Sequence, residues 1–349
     1  MIPYARTVSD PQADQQPERT HRISVVTPVY KGEHTLPGLA QEMTALMGEQ
    51  VTPDGHRWVL TEWLLVHDNG PDASADTMAA LAREHDFVRP IWLSRNYGQH
   101  PATLAGMASS SGDWIVTLDE DGQHNPADIG RFLDVALNEN AQLVYAAPTN
   151  EPPHGALRNL ASKGAKWVFA SFLAGGAVQT FQSYRLVLGE LGRSVAAYAG
   201  AGVYLDVALG WVVDRISHVD VELREEGGRP SGYSLRRLLS HFWRLVLSSG
   251  TRGLRVVSGL GVVFGLAGIL FAIYLVISVS LGRRTPEGWT SNMVVVLLST
   301  GAILFSLGVI AEYIGVAVGM AMGKPPYLII SDPGNGPLGR RPGSRSIPR

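Results

Sequence analysis

Trp114-Ile115-Val116-Thr117-Leu118, running without a break into Asp119-Glu120-Asp121-Gly122-Gln123, is the stretch that decides the fold. Its first half is rich in β-branched and aromatic residues and ends at a glycine-containing turn, the pattern of a short buried strand. Its second half then places three carboxylates and an amide at that strand's carboxyl end. Three similar apolar runs precede it, at 23–27, 63–66 and 88–93, each followed by a stretch of helical character. Strand alternating with helix predicts a doubly wound α/β domain, whose ligand crevice lies beyond the carboxyl ends of the strands. Polar residues just after strand ends are therefore the first functional candidates.

The carboxylate cluster repels itself unless a cation sits in it, and hard oxygen donors suit Mg²⁺ or Mn²⁺ held by few carboxylates while bridging a diphosphate. Asp119 and Asp121 alternate along an extended chain and share a face, with Glu120 turned away. A solvated acidic turn is the plainer use of the same residues. Two other post-strand loops reinforce the crevice: Pro28-Val29-Tyr30 with Glu33, and His67-Asp68-Asn69-Gly70-Pro71-Asp72. An aromatic platform beside a carboxylate is suited to stacking a base and accepting its imide hydrogen.

The last third follows different physics. Residues 256–281 carry no charge, and as a helix they would run about 39 Å, longer than a hydrocarbon core of ~30 Å. A second uncharged run covers 291–311, and apolar character continues past Glu312 to Met322. The connector between them is short and holds Pro286 and Gly288, which predicts an antiparallel hairpin with both outer ends on one side. Arg244, Arg252 and Arg255 precede it and Lys324, Arg340 and Arg341 follow it, against Arg283 and Arg284 in the connector, so the large domain is expected in the cytoplasm. The absence of cysteine fits a reducing compartment, and a net charge of −2 argues against a nucleic-acid binder. Between domain and hairpin, Leu235, Leu238, Leu239, Phe242 and Leu245 line one helical face and Arg236, Arg237, His241 and Arg244 another, as in a helix lying among lipid headgroups.

These pieces divide the chain into a polar arm (1–22), a catalytic α/β domain (23–230), an interfacial helix (231–253), two membrane helices (254–281 and 291–322) and a cytoplasmic tail (323–349). Gly259, Gly261, Gly265 and Gly268 would let the first membrane helix pack closely on neighbours, so a homo-oligomer is a reasonable expectation.

Thr27-Pro28-Val29-Tyr30, His67-Asp68-Asn69-Gly70, Asn96-Tyr97-Gly98, Asp119 to Gln123 and Glu312-Tyr313-Ile314-Gly315, in that order and before and within a terminal hairpin, resemble family 2 glycosyltransferases of GT-A (Rossmann-like) fold. The branch is that of dolichol-phosphate mannose synthase and the bacterial undecaprenyl-phosphate glucosyltransferases. The resemblance implies inverting transfer of a sugar from a UDP- or GDP-linked donor to a polyprenyl phosphate at a bacterial inner membrane. It implies that Pro28, Tyr30, Glu33, Asp68 and Asn96 serve the donor nucleotide with Asp119 and Asp121, while Asp119, Asp121 and Gln123 hold the metal. For the acceptor it implies Arg158, Ser162 and Arg185, with Arg224, Ser231 and Tyr233 bordering the site, and Asp121, Arg158 and Arg185 as catalytic residues. Surface or ion-paired roles are the alternative for Arg158 and Arg185.

The chain also departs from that pattern. Lys31-Gly32 stands where an asparagine would precede Glu33, His67 where an aspartate is usual, and Ser183 where an aspartate often precedes the Phe-Arg pair, here Tyr184-Arg185. A processive polysaccharide synthase and a membrane scaffold that binds without turnover are the competing functions.

Overall fold

The structure is a computed structural model that describes residues 19–150, 181–200, 202–224 and 288–334, with single positions between 266 and 281. The candidates Arg158, Ser162, Ser231 and Tyr233, the interfacial helix and most of the first hairpin helix lie outside the described residues.

Among the described residues nine strands form one sheet: β1 (His21–Val29), β2 (Glu49–Val51), β3 (Arg57–His67), β4 (Val88–Leu93), β5 (Trp114–Thr117), β6 (Leu143–Pro148), β7 (Arg185–Leu188), β8 (Ile216–Val221) and β9 (Ile329–Ile330). The order across the sheet is β8-β6-β7-β5-β1-β3-β4-β9, with β2 paired to β3. The helices are α1 (Leu36–Ala45), α2 (Ser74–Glu84), α3 (Gln99–Ser109), α4 (Ile129–Asn138), α5 (Gly189–Tyr198), α6 (Leu205–Val212) and α7 (Trp289–Ala321). The four strands expected from the apolar runs are all present, and β1 lies parallel to both β3 and β5. Beyond the expected parallel set, β7 runs antiparallel between β5 and β6, and β2 and β9 are antiparallel additions.

Strand alternation divides the core into two layers. Val25, Trp63, Leu65 and Val116 face α1, α2 and α4 through Leu36, Met43, Met78 and Phe132. Val26, Leu64, Val66 and Ile115 face α3, α5 and α6 through Leu104, Met107, Val195 and Leu209. Side chains buried on both faces explain why these strands read as continuous apolar runs. Helix α3 lies close against β1: a Cβ on Gly106 would come within 2.3 Å of Val26 Cγ1.

The β1–β3 register slips between Ile23 and Ser24, whose partners are Leu60 and Glu62. This irregularity turns Glu62 inward, where one oxygen accepts from Ser24 Oγ (2.8 Å), Ser111 N (2.6 Å) and Ser111 Oγ (2.8 Å). The other oxygen accepts from Arg89 Nη1. Burial pushes the Glu62 carboxyl up, but the Ser111, Ser24 and Arg89 bonds outweigh it and hold it below the usual glutamate range.

Most of α7 is apolar on all sides. Its Ser299–Gly319 segment has mean hydropathy 2.0, with 6% of the apolar window buried against the rest of the chain, and it is the one such helix among the described residues. Just beyond it, within the segment read from sequence as tail, β9 pairs with the outer edge of β4, and Ser94 N donates to Leu328 O at 3.0 Å.

Replacing Glu62 by Gln should lower the melting temperature by several degrees, about 1–3 kcal/mol for a buried charge-assisted network. Because the folded carboxyl is held low, its stabilisation is fully present above the unfolded pKa near 4.5 and is lost as pH falls through the folded value. Melting curves of the two proteins should therefore differ by a constant amount at neutral pH and converge in acid.

Candidate functional site

The strand order reverses at β1: the chain passes from β1 to β3 and β4 on one side, then returns to β5 on the other. Such a reversal opens a crevice at the carboxyl ends, and three loops converge on it, residues 30–33, 68–72 and 119–125. Glu120 ties the first to the third, one oxygen accepting from Tyr30 N (3.0 Å) and the other from Lys31 N (2.8 Å). Asp72 and Glu33 tie the first to the second reciprocally: Glu33 N donates to Asp72 Oδ2 (3.2 Å), and Ala73 N donates to Glu33 Oε2 (3.2 Å). Gly70 permits this closeness, because a Cβ there would fall 1.6 Å from Tyr30 O. Above these contacts Tyr30 is 43% exposed, with the Lys31 ammonium 5.9 Å from its ring centroid.

Asp68 is buried, and both of its oxygens are engaged by backbone amides, Oδ1 by Tyr97 N (2.7 Å) and Oδ2 by Gly98 N (2.8 Å). Asn96 Nδ2 donates to the Asp68 carbonyl at 3.0 Å. Asp68 and Asn96 thus build the loop that opens α3. Burial raises the Asp68 carboxyl above the usual aspartate range, opposed by those two amides and by Arg95. His67 is the last residue of β3, 1% exposed and tilted against Trp92 at 5.4 Å, so its departure from the family pattern falls in the core.

The acidic loop is held from several directions. Asp119 accepts from Gln99 Nε2 on Oδ1 (2.6 Å) and from Ser183 Oγ on Oδ2 (2.6 Å), while its own N–H donates to His124 Nδ1 (3.1 Å). His124 is buried and stacked on Tyr184 at 4.9 Å. Asp121 Oδ1 accepts from Gln123 N (3.0 Å), Gln123 O accepts from Arg224 N (3.0 Å), and Arg224 bridges Glu42 (2.7 Å) and Asn125 Oδ1 (2.8 Å).

Behind Asp119 lies a cavity of about 360 Å³, walled by Pro28, Gln99 and His100 on one side and by Thr117, Ser183, Arg185, Tyr204 and Asp206 on the other. Arg185 is 3% exposed; its Nε donates to Thr117 Oγ1 (3.1 Å) and its Nη1 to Asp206, which also accepts from Tyr145 Oη (2.8 Å). Burial works against the Arg185 charge, but Asp206, with Tyr145, Tyr204 and Asp119, outweighs it and holds the guanidinium above its usual range. The structure therefore brings Pro28, Tyr30, Glu33, Asp68, Asn96, Asp119, Asp121, Gln123 and Arg224 around one crevice, with Arg185 in the wall behind. Gln99, His100, Tyr204 and Asp206 were not singled out from sequence, and Gln99 directly after Asn96-Tyr97-Gly98 is the one that a known neighbouring motif could have signalled.

A divalent ion fits the donor chemistry of this loop. Asp119 is held by two neutral donors, Gln99 and Ser183, and the neighbouring Arg185 guanidinium is paired with Asp206. Among the described residues no three His, Cys, Asp or Glu side chains converge as a complete metal site, so at most two carboxylates and the Gln123 amide would contribute. Ions that keep water and bind substrate phosphates use sites of this kind.

Residues 24–186 match Glycosyl transferase family 2, and residues 253–317 match the GtrB C-terminal hairpin. The chain is similar to the undecaprenyl-phosphate 4-deoxy-4-formamido-L-arabinose transferase of Serratia proteamaculans, 28% identical over 89% of this chain and 94% of that one. The protein so named in Salmonella paratyphi A is 28% identical over 88% and 92%. Two solved structures also resemble it in part. Glucosyl-3-phosphoglycerate synthase from Mycobacterium tuberculosis is 20% identical with a TM-score of 0.47, over 66% of this chain and 80% of that one. Mannosyl-3-phosphoglycerate synthase from Rubrobacter xylanophilus is 18% identical with a TM-score of 0.47, over 67% and 74%.

Asparagine at position 68 would offer one acceptor oxygen to two amides and set an NH₂ group against the other. Asp68→Asn should weaken nucleoside diphosphate binding by roughly tenfold, as expected for a loss of ~1.4 kcal/mol, readable by calorimetry. Arg185→Ala should destabilise the fold by about 3–5 kcal/mol by leaving Asp206 buried and unpaired, and an apolar Arg185→Met/Asp206→Leu pair should restore much of the melting temperature.

Proposed function

We propose that this chain, whose residues 24–186 match Glycosyl transferase family 2 and residues 253–317 the GtrB C-terminal hairpin, moves a sugar from a UDP- or GDP-linked donor to a polyprenyl phosphate at the cytoplasmic face of a bacterial membrane. The observation that carries this reading is the pairing, in one chain, of the Asp119–Gln123 crevice loop with the apolar, almost wholly unburied α7. The relatives named for transfer to undecaprenyl phosphate match the chain over nearly its full length, which supports a lipid phosphate as acceptor.

In this reading the nucleoside lies across the Tyr30 ring, beside Pro28, Glu33 and the loop that Asp68 and Asn96 hold in place. Asp119, Asp121 and Gln123 would hold Mg²⁺ or Mn²⁺, whose chemistry there is to supply countercharge to the departing diphosphate. The sugar reaches into the cavity behind Asp119. A phosphate oxygen of the lipid attacks the anomeric carbon; as that bond forms, the bond to the donor diphosphate breaks, and its electron pair leaves with the nucleoside diphosphate. Configuration at that carbon is inverted by the single in-line displacement. A phosphate acceptor is already ionised, so no general base is needed, and the missing aspartate at Ser183 is no obstacle. Positioning and charge compensation supply the rate. Arg158 and Ser162, with Arg224, Ser231 and Tyr233, are the proposed acceptor contacts. Arg185, paired with Asp206, fixes the wall of the cavity beside Asp119.

Purified protein incubated with polyprenyl phosphate and a panel of nucleotide sugars should give a lipid-linked sugar, detected by mass spectrometry and abolished by a chelator. Asp121→Ala should keep its melting temperature and lose on the order of 10²–10³ in turnover. A folded wild-type protein that yields no lipid product from any donor would refute the proposal.

A further inference from the structure

The Asp119 carboxylate receives both of its side-chain hydrogen bonds from outside its own loop, from Gln99 at the start of α3 and from Ser183 two residues before β7. Both are 2.6 Å long. Ser183 is itself pinned, because its carbonyl accepts from Thr117 Oγ1 at 2.5 Å, so its hydroxyl is delivered from a fixed backbone position on the neighbouring strand pair. The two donors approach different oxygens, which fixes the rotation of the carboxylate about its side-chain axis. Being neutral, they set its direction without cancelling its charge, and each carboxylate oxygen keeps a lone pair for a further partner.

We propose that Gln99 and Ser183 are positioning residues that aim Asp119 as a ligand for a divalent cation. The inference rests on the reading above that the 119–123 loop holds such an ion. It gives Ser183 a definite task at the position where the resemblance expects an aspartate: a carboxylate there would repel Asp119, whereas the hydroxyl donates to it. Groups that hydrogen-bond a metal-ligating carboxylate orient it and tune its affinity, and their loss typically costs 10–100-fold in metal binding.

The test measures Mn²⁺ binding to the full-length, detergent-solubilised protein in the presence of UDP, by the paramagnetic resonance signal of free Mn²⁺, with no sugar donor and no turnover. Ser183→Ala and Gln99→Leu should each raise the Mn²⁺ dissociation constant by about tenfold or more, while Ser183→Thr, which keeps the hydroxyl, should stay within about twofold of wild type. Melting temperatures measured alongside separate weak binding from misfolding. Gln99 is exposed, so Gln99→Leu decides the matter on its own if Ser183→Ala does not fold. Wild-type binding matched by both variants would overturn the positioning role and leave the metal loop standing. Absence of Mn²⁺ binding by folded wild type would overturn the metal reading and this inference together.

Discussion

Three parallel strands, β3, β1 and β5, set side by side and pointing the same way, are the constraint from which the crevice follows. Val29 pairs with His67, so β1 and β3 end together, while Val26 pairs with Thr117, so β5 stops three residues earlier and its acidic loop opens beside the end of β1. What the strands deliver, hydrogen bonds between loops then lock: Glu120 to the Tyr30 and Lys31 amides, Asp72 to Glu33, Asp68 to Tyr97 and Gly98. Several carboxylates that a sequence reader would offer to the ligand are spent on holding backbone. The protein uses acidic side chains as the mortar of an acidic site, because a carboxylate accepts strongly from two amides at once and those amides would otherwise be left unpaired.

Two buried charges mark opposite ends of the sheet. Glu62 sits at the amino-terminal end of the parallel strands, satisfied by serines and one arginine; Arg185 sits towards the crevice, satisfied by Asp206 and Thr117. Neither is cheap to desolvate, and pairs of this kind are poor evidence for net stability. Their value is in fixing register. A shift of β3 by one residue would strand Glu62 without Ser24 and Ser111, and a shift of β7 would pull Arg185 away from Thr117.

Much of this was legible in the chain. The four apolar runs became β1, β3, β4 and β5, and the acidic cluster at the end of the last of them lies at the crevice mouth. Glu62 was not legible, since Thr61-Glu62 looks like the exposed half of a strand until the register slip with β1 turns it inward. The antiparallel insertion of β7 was equally hidden, because nothing in the Arg185–Leu188 sequence says which way a strand there would run. Asp68 shows a different limit: residue type and position after a strand suggested a ligand contact, while the geometry spends both oxygens on Tyr97 and Gly98. The Asp119 partners, Gln99 and Ser183, come from elements distant in sequence, and only the closed sheet reveals their convergence.

The two-residue strand β9 has a mechanical consequence. It follows the end of α7 after residues 322–328, a tether that even fully extended spans less than about 30 Å. With α7 in a bilayer, this tether moors the β4 edge of the sheet to the end of the helix and limits the height of the crevice above the lipid surface. A lipid-borne acceptor, as proposed above, would then meet the crevice by a two-dimensional search, at a depth bounded by the length of that tether.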